Sequence, residues 1–490
     1  MELSNVLYLN PNYFIRHDET RSLLWARDFK VSEDRYSVSF HSFIHPYHAE
    51  FLSLFNGNNT IEDVVKKSCL GKLFGLSTLK FIEKITGNLK PFSVGYAENE
   101  SFFPINLLLK EKPENYQYGN SMVDFSFDTL DFKTKRLNFP LFITYMINTS
   151  CYTDCIYCYA DCRTRKQRQL PLSKIMELLD EIAQHPILDF TIMGGEFFLD
   201  NDWDTILLRL KELGLTPTIS TKIPISLQII QRMKEIGIEN IQISLDSVNP
   251  SIIETLLKVK GEKYLSDMKN TFDQLKQSDI KVKINSVITK YNCCIEELER
   301  LIAFLSQYDN IDNVSIIPAG FSLYKSAEYM PSEESIEIIE NRISQIKKQL
   351  NFPIRVTHGL PKKYIMNSYT EKCNYFSKRS MCSGNLHQAY IMPNGDVTFC
   401  EGTMSQKELV IGNIRNQKFS DVWKNGDVSH LFDQSNYKNT VCGKCNEFDE
   451  CHSVRGVCWK YIMLGYGKEN IYMPDPRCPK SPMINNGLYK

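Results

Sequence analysis

The 490-residue sequence has almost no net charge, because its 57 basic residues are offset by 58 acidic ones interleaved with them. It therefore lacks the basic face that binding to nucleic acid or an anionic membrane requires. It also lacks an apolar run long enough to span a membrane, and residues 1–7 lack the basic stretch of a secretory signal. We therefore expect a cytoplasmic protein with neither nucleic acid nor a membrane as partner.

The chain is long and rich in cysteine. A chain of this size with 42% hydrophobic content buries more than one core. We expect about two to four domains. Its fifteen cysteines concentrate in two blocks, one around residue 155 and one from residue 373 onward. In a long cytoplasmic chain such blocks indicate metal ligands more than disulfides.

The first block contains Cys151, Cys155 and Cys158, which one short loop can direct at a single metal cluster. Three thiolates hold three corners of a cubane 4Fe–4S cluster and leave one iron free for a non-protein ligand. Zinc is the alternative, although zinc sites usually combine two separated pairs of ligands. Cys162 falls outside this spacing and is either a bystander thiol or a competitor for the free iron.

The CxxxCxxC spacing resembles that of the radical SAM superfamily, and Tyr157 is the aromatic residue before the last cysteine. The resemblance implies that the free iron binds the amino and carboxylate groups of S-adenosylmethionine, with Tyr157 among the cofactor-binding residues. One electron from the cluster would cleave this cofactor to methionine and a 5′-deoxyadenosyl radical. The radical then abstracts a hydrogen atom from the substrate.

Strand-like and helix-like segments alternate after residue 140, which indicates a parallel sheet covered by helices. The predicted strands are residues 142–147, 188–193, 216–220, 241–245, 281–288 and 313–318. Six such units are similar to the partial (β/α)6 TIM barrel of the radical SAM core, whose active-site groups lie at the carboxyl ends of the strands. We therefore expect an α/β fold over about residues 140–320.

Gly194, Gly195 and Glu196 follow the second predicted strand. Glycines let the backbone approach a ligand, and the acid accepts a hydrogen bond from an ammonium group. This segment resembles the GGE motif, which binds the methionyl amino group of S-adenosylmethionine. Further cofactor contacts are expected at the ends of the third and fourth strands, from Ser220, Thr221, Ser244 and Asp246. Asp246 could instead cap the following helix.

In the second block, twelve residues separate Cys382 from Gly395 and four separate Gly395 from Cys400. A hairpin turn at residues 393–396 would bring these two cysteines together. The block resembles the SPASM extension, which houses two auxiliary 4Fe–4S clusters. The resemblance implies one cluster on Cys382, Cys400 and Cys458 with Cys373 as a candidate fourth ligand, and an outer one on Cys442, Cys445, Cys451 and Cys478.

The block departs from the SPASM pattern in one gap, since six residues separate Cys451 from Cys458 where three are typical. The alternative is a zinc ribbon that uses Cys442 and Cys445 together with these two cysteines. Whether Cys373 is a ligand has a chemical consequence. Without it, the cluster on Cys382, Cys400 and Cys458 has a free iron that can bind a substrate thiolate.

The first 130 residues precede every cofactor motif. Their pattern predicts a helix over residues 47–55, a turn at Asn56-Gly57 and a second helix capped by Thr60. This resembles the winged-helix recognition element of maturases of ribosomally made peptides, which binds a leader peptide as an added strand. A structural cap and a DNA-binding domain are the alternatives, and the lack of basic charge disfavours DNA.

The predicted domain organisation has five parts. Residues 1–110 form a winged-helix-like recognition domain, 111–139 a bridging region, 140–325 the partial barrel, 326–372 a helical connector and 373–490 the SPASM domain.

The family resemblance implies a radical SAM maturase that forms an oxidative cross-link, with a cysteine thioether favoured and a carbon–carbon, cyclophane-type link as an alternative. A formylglycine-forming enzyme like the anaerobic sulfatase maturases is a second alternative, and a non-catalytic zinc scaffold a third. The implied cofactors are three 4Fe–4S clusters and S-adenosylmethionine. The implied partners are a leader-bearing precursor peptide and an electron donor such as flavodoxin or ferredoxin. The catalytic base is not identified.

Overall fold

The computed structural model describes residues 2–26, 29–32, 35–37, 40–114, 116, 124–133, 136–160, 168–357, 369–376, 382–384, 386–398, 400–404 and 406–482. Cys162 lies outside the described residues. The chain divides into two compact units, which are Met1–Leu141 with Pro186–Leu188 and Phe142–His185 with Asp189–Lys490.

The first unit is built from short strands and helices. The strands are β1 (Val6–Leu9), β2 (Tyr13–His17), β3 (Ser22–Ala26), β4 (Phe29–Ser32), β5 (Arg35–Ser37), β6 (Phe40–Ile44), β7 (Asn56–Thr60), β8 (Phe92–Tyr96), β9 (Asn99–Phe103) and β10 (Leu108–Leu109). The helices are α1 (Pro46–Ser53), α2 (Ile61–Lys67), α3 (Cys69–Phe74) and α4 (Thr78–Ile85). Strand β1 lies between β10 and β7, β3 lies between β2 and β6, and β8 and β9 form a hairpin.

The order α1, β7, α2, α3, α4 and the β8–β9 hairpin resembles that of a winged helix, although β7 pairs with β1 and the hairpin forms a sheet of its own. Both predicted helices are confirmed, and Thr60 caps α2 in a reciprocal arrangement with Asp63. The predicted turn at Asn56-Gly57 is wrong, because these residues begin β7, where Asn56 pairs with Tyr8 of β1. Gly57 has a positive φ of 86°, a conformation that glycine often adopts in turns. Here the residue adopts it within a strand that pairs with the distant strand β1.

The second unit alternates strands and helices. The strands are β11 (Phe142–Met146), β12 (Asp189–Met193), β13 (Thr218–Thr221), β14 (Asn240–Ser244), β15 (Lys281–Ile288), β16 (Ile311–Pro318), β17 (Ile354–Val356), β18 (Gln388–Ile391), β19 (Asp396–Thr398) and β20 (Val410–Asn413). The helices are α5 (Leu172–Ala183), α6 (Trp203–Glu212), α7 (Leu227–Ile236), α8 (Pro250–Leu257), α9 (Gly261–Gln277), α10 (Ile295–Leu305), α11 (Glu333–Ile346), α12 (Tyr369–Phe376), α13 (Phe419–Asn425) and α14 (Trp459–Tyr466).

Strands β11 to β17 form one parallel sheet in chain order. The six predicted strands are confirmed as β11–β16, with ends that differ by no more than two residues. The sheet runs from β17 at one edge to β20 at the other, so its described strands form an open, partial barrel. The predicted hairpin at residues 393–396 is confirmed as β18–β19, and β18 pairs in parallel with β11. The C-terminal cysteine block therefore continues the sheet beside the strand that leads into the first cysteine loop.

Amphipathic helices cover the outside of this sheet. In α5 the apolar residues Ile175, Leu178, Leu179 and Ile182 are buried, as their helical spacing predicts. Helix α6 ends just before Gly214, whose φ of 70° stops the helix. In the described part of the chain, no helix combines the length and apolarity that crossing a membrane requires.

Candidate metal centres and cofactor site

The first cysteine loop leaves the sheet at the end of β11 and is fixed from both sides. Backbone hydrogen bonds join it to the residues after β12, through Gly195 N and Asn148 O at 2.8 Å. They also join it to the end of α8, where Asp154 N and Ile156 N donate to backbone carbonyls at 3.0 Å. Backbone hydrogen bonds to regular structure therefore position the loop.

Cys151, Cys155 and Cys158, the loop cysteines, lie together on this loop. The Thr153 hydroxyl is 3.1 Å from Cys151 Sγ and 3.3 Å from Cys155 Sγ. Burial raises the pKa of Cys155 to about 12 and also raises that of Cys151, with the charge of Cys158 contributing in each case. Thiols in this state lose their protons only when a bound cation compensates the thiolate charge.

Glycines shape the backbone that faces this loop. A Cβ on Gly195 would lie 2.3 Å from Ser150 O, and one on Gly194 would lie 3.0 Å from Asn148 Oδ1. At these two positions, directly after β12, only glycine packs against the cysteine loop without displacing its neighbours. The Asn148 side chain spans the same junction by donating to Glu196 O at 3.0 Å.

The carboxyl group of Glu196 is buried beside the loop cysteines. Its Oε2 accepts a hydrogen bond from Lys222 N at 3.1 Å, whereas its Oε1 is buried and has no hydrogen-bond partner among the described residues. Burial raises its pKa to about 7. Glu196 is close enough to Cys151 for its charge to raise the pKa of that thiol. Hydrogen bonds from the Thr221 side chain and from the backbone of Lys222 and Ile223 oppose the rise in pKa. Oε1 can accept one more hydrogen bond, and an ammonium group is a donor that suits a buried carboxylate oxygen.

Tyr157 and Asp246, both expected to contact the cofactor, form one hydrogen-bonded group. The Tyr157 hydroxyl donates to Asp246 Oδ2, Lys222 Nζ lies 2.9 Å from the same oxygen, and Val287 N donates to Asp246 Oδ1 at 2.9 Å. The interpretation of Asp246 as a helix cap is wrong, because Asn249 caps α8. Asp246 instead ties the cysteine loop to the ends of β13 and β15.

Ser220 and Ser244 belong to a polar row on the inner face of the sheet. Ser220 Oγ donates to Gln242 Oε1 at 2.5 Å, and Gln242 Nε2 donates to Ser244 Oγ at 3.1 Å. Thr221 is buried and hydrogen bonds within its own turn, to Ile223 N at 3.2 Å. Gln242 and Lys222 are site residues that the sequence did not predict. The two-residue period of strands would have found Gln242, since it shares a face with Ser244.

A cavity of about 890 Å³ opens at this end of the sheet. Its wall includes all three loop cysteines and, from the C-terminal block, Cys400, Glu401 and Lys460. The wall also includes Tyr157, Gly194, Gly195, Ser220, Lys222, Gln242 and Ser244. Residues predicted from two separate sequence blocks therefore line one space.

Cys382, Cys400 and Cys458, the inner cysteines, lie close enough for their charges to interact. Burial raises the pKa of Cys458, and the charges of Cys382 and Cys400 raise it further. Gly456 has a φ of 72° and would place a Cβ 2.9 Å from the Cys382 Cβ, so a glycine is needed where the chain passes that cysteine. Asp475 accepts a hydrogen bond from Cys458 N at 3.1 Å.

Cys442, Cys445, Cys451 and Cys478, the outer cysteines, form a second group. Burial raises the pKa of Cys442 to about 12, and the charges of the other three contribute. Gln434 Nε2 donates to the carbonyls of Cys442 and Cys445 at 2.8 and 2.9 Å. Cys458 lies with the inner cysteines, which argues against the zinc ribbon. Within the described residues, no three His, Cys, Asp or Glu side chains converge closely enough for a single metal ion.

Cys373 lies on α12, where the Tyr369 hydroxyl hydrogen bonds to its thiol. The same helix contacts the segment that carries Cys478, because Lys372 Nζ donates to Ser481 Oγ at 2.6 Å. The charge of Lys480 also reaches Tyr369. The structure thus places Cys373 near the end of the chain that bears the last outer cysteine, and its role as an inner ligand stays a prediction.

Comparison with known proteins gives the class. Residues 145–305 match the radical SAM superfamily, and residues 382–446 match SPASM, an iron-sulfur cluster-binding domain. The chain therefore contains a radical SAM domain followed by a SPASM domain.

Particular proteins are similar to larger parts of the chain. The probable GTP 3′,8-cyclase of Sulfurisphaera tokodaii is 24% identical over 283 residues, which cover 57% of this chain and 85% of that protein. The mycofactocin maturase MftC of Mycobacterium tuberculosis is 21% identical over 351 residues, covering 70% and 84%. The crystal structure of Streptococcus suis SuiB has a TM-score of 0.63 at 16% identity and covers 99% of this chain and 100% of its own. SuiB bound to its precursor peptide SuiA has a TM-score of 0.61 at 17% identity, with the same coverage.

Proposed function

We propose that this enzyme installs an oxidative cross-link in a ribosomally synthesised precursor peptide, with a thioether to a cysteine sulfur as the favoured link. The cavity carries the proposal, because loop cysteines line it together with Cys400. Oxidative cross-linking takes two hydrogen atoms from the substrate. It therefore needs one group that abstracts a hydrogen atom and another that accepts the surplus electron, and a cavity between two cysteine sites meets both needs.

The loop cysteines would hold the first 4Fe–4S cluster, which together with S-adenosylmethionine supplies the 5′-deoxyadenosyl radical. Glu196 would accept a hydrogen bond from the cofactor's ammonium group through Oε1, the oxygen that has no partner in the described part of the chain. Ser220, Gln242 and Ser244 would orient the cofactor through the hydroxyl and amide groups that they present to the cavity. Asp246 and Thr221, which bond within the protein, would support these contacts from behind.

The inner and outer cysteines would hold two auxiliary clusters that carry the surplus electron away. The grouping of Cys382, Cys400 and Cys458 supports three protein ligands for the nearer cluster. Cys373 is the candidate fourth ligand, and if it does not bind, the free iron is available to a substrate thiolate. We also propose an electron donor such as flavodoxin or ferredoxin, which would supply the electron that the first cluster needs.

The first unit would recognise the leader segment of the precursor. Its winged-helix order of elements and its small antiparallel sheets support this role, since an extended peptide can add a strand to a sheet edge. The likeness to SuiB extends over 99% of the chain, so it includes this unit. We propose a cytoplasmic enzyme that engages neither nucleic acid nor a membrane.

The test is anaerobic reconstitution of the full chain with iron and sulfide, followed by incubation with S-adenosylmethionine, a reductant and a candidate precursor peptide, for which a short cysteine-bearing reading frame beside the gene is the first choice. We expect release of 5′-deoxyadenosine and a peptide lighter by two hydrogen atoms per cross-link. Fragmentation of the product by mass spectrometry locates the link. Protein that takes up zinc without iron, or that releases no 5′-deoxyadenosine, would contradict the proposal.

The same experiment separates the alternatives. A carbon–carbon link gives the same mass loss but leaves every peptide cysteine open to alkylation, whereas a thioether protects one. Formylglycine reacts with a hydrazide reagent, which neither cross-link does. Removing residues 1–110 tests leader recognition. The truncated enzyme should bind the leader-bearing peptide more weakly than the full chain does. It should bind and modify a leaderless peptide to the same extent as the full chain.

A further inference from the structure

Lys222 is a half-buried cation close to the first cysteine loop, and neither the cysteine motif nor the glycine motif accounts for it. It follows β13, which ends at Thr221. Its backbone N donates to Glu196 Oε2 at 3.1 Å, and its backbone O accepts a hydrogen bond from the Tyr264 hydroxyl at 2.6 Å. The backbone at Lys222 is therefore held on both sides.

The ammonium group of Lys222 has a defined position. It lies 2.9 Å from Asp246 Oδ2 and 5.5 Å from the centre of the ring of Tyr157, the residue immediately before Cys158. The Lys222 side chain is 16% exposed and that of Asp246 only 2%. The charges of this pair are consequently shielded from bulk solvent.

The Lys222 side chain lines the same cavity as all three loop cysteines. Its ammonium group is therefore a fixed positive charge beside the site at which the first cluster would bind. A unit charge held near a redox centre in a poorly solvated site changes the energy of that centre far more than it would in water.

We propose that Lys222 sets the reduction potential of the 4Fe–4S cluster at the loop cysteines, and that Asp246 both orients the Lys222 ammonium group and offsets its charge. Reduction adds one electron from the external donor to the cluster, with no proton transferred and no bond made or broken. The fixed positive charge of Lys222 stabilises the more negative, reduced state. Net charge around a cluster is one of the known determinants of its potential.

This inference rests on the proposed cluster at the loop cysteines and is independent of the peptide substrate. It predicts that the two members of the ion pair act in opposite directions. Losing Lys222 leaves the Asp246 carboxylate uncompensated and lowers the potential, whereas losing the charge of Asp246 raises it. A role in folding alone does not predict opposite signs.

The experiment is a redox titration of reconstituted full-length enzyme with dithionite, followed by electron paramagnetic resonance. The signal of the first cluster is identified by its change when S-adenosylmethionine is added at the end. The variants are Lys222→Met, Asp246→Asn, both together, and Lys222→Arg, which keeps the charge. At a fixed potential we expect the ratio of reduced to oxidised cluster to fall at least about tenfold in Lys222→Met, which is about 59 mV for a one-electron couple.

Asp246→Asn should shift the ratio in the other direction, and the double variant and Lys222→Arg should lie near the wild type. Equal signs for the two single variants, or no shift with the cluster retained, would overturn the inference. If Lys222→Met does not fold, Asp246→Asn and the charge-neutral double variant still decide it. Wild-type protein without iron at the loop cysteines would refute the cluster itself, which is a different outcome.

Discussion

The loop cysteines and the outer cysteines differ in what holds them in place. The loop cysteines lie within eight residues, between the end of β11 and a backbone contact to α8. The outer cysteines are drawn from residues 442–478 and lie on or near a 3-10 turn at Val441–Lys444 and a π-helix at Glu450–Arg455. One site is mounted on a sheet, and the other is surrounded by short, irregular segments.

This difference indicates two relations between metal and fold. Around the loop cysteines, strands and helices provide the geometry, and the cluster proposed there would add chemistry. Around the outer cysteines, the described chain has little regular structure, so we expect the cluster proposed there to contribute to folding. The following changes test that contrast.

Replacing all three loop cysteines by alanine should abolish activity and leave the fold intact. Without thiolates the first cluster cannot bind, so we expect no 5′-deoxyadenosine above background. The melting temperature, followed by circular dichroism, should stay close to that of the wild type. Cys294→Ala, at an exposed cysteine outside the three groups, is the control and should retain full activity. A triple variant that still forms product would disprove the assignment.

Replacing Cys442 and Cys445 by alanine should damage structure as well as activity. We expect loss of the outer cluster to destabilise the C-terminal block by several kcal/mol, as for other sites where metal binding and folding are coupled. Limited proteolysis should then cut within residues 406–482 while the barrel stays intact. Unchanged protease resistance in both regions would show that the outer fold does not depend on its metal.

Glu196→Gln should weaken cofactor binding without loss of iron. Hydrogen bonds to charged groups contribute about 1.5–3 kcal/mol, so we expect the dissociation constant for S-adenosylmethionine to rise by about ten- to a hundredfold. Equilibrium dialysis against the reconstituted variant measures this directly. Glu181→Gln is the matched control, because that acid caps α13 away from the cavity wall. An unaltered affinity in Glu196→Gln would exclude the proposed ammonium contact.

Gly395→Ala should give the smallest effect. Compared with Gly214→Ala, it measures the rigidity of the β18–β19 hairpin against that of the barrel. Gly395 has a φ of 90°, and a Cβ there would lie 2.9 Å from Leu170 Cδ2. Gly214, beside the barrel, has a φ of 70° and nothing within 4 Å. The left-handed conformation costs about 1 kcal/mol at either site, and crowding should add about 1 kcal/mol more at Gly395. Equal costs in denaturant titrations would mean that the hairpin relaxes freely.

Much of the site was predictable because its signals are local. The loop cysteines and the Gly194-Gly195-Glu196 segment each occupy one short run after a strand, and strands β11–β16 follow from periodicity. Lys222 was missed because a lysine at a strand end is usually solvated, and only its contact with Asp246, twenty-four residues away, removes it from water. The turn at Asn56-Gly57 was wrong for a similar reason, since β1 lies about fifty residues earlier in the chain.

Strand period was enough to predict the parallel sheet, and cysteine spacing together with the family resemblance predicted the radical SAM and SPASM domains, because these patterns extend over a few residues. The meeting of Cys400 with the loop cysteines at one cavity came from the pairing of β18 with β11, which joins segments more than two hundred residues apart. The positions of the Lys222 and Asp246 charges near Cys155 depend in the same way on which strands are neighbours in the sheet. Contacts of this kind arise from long-range packing, and no local pattern of residues encodes them.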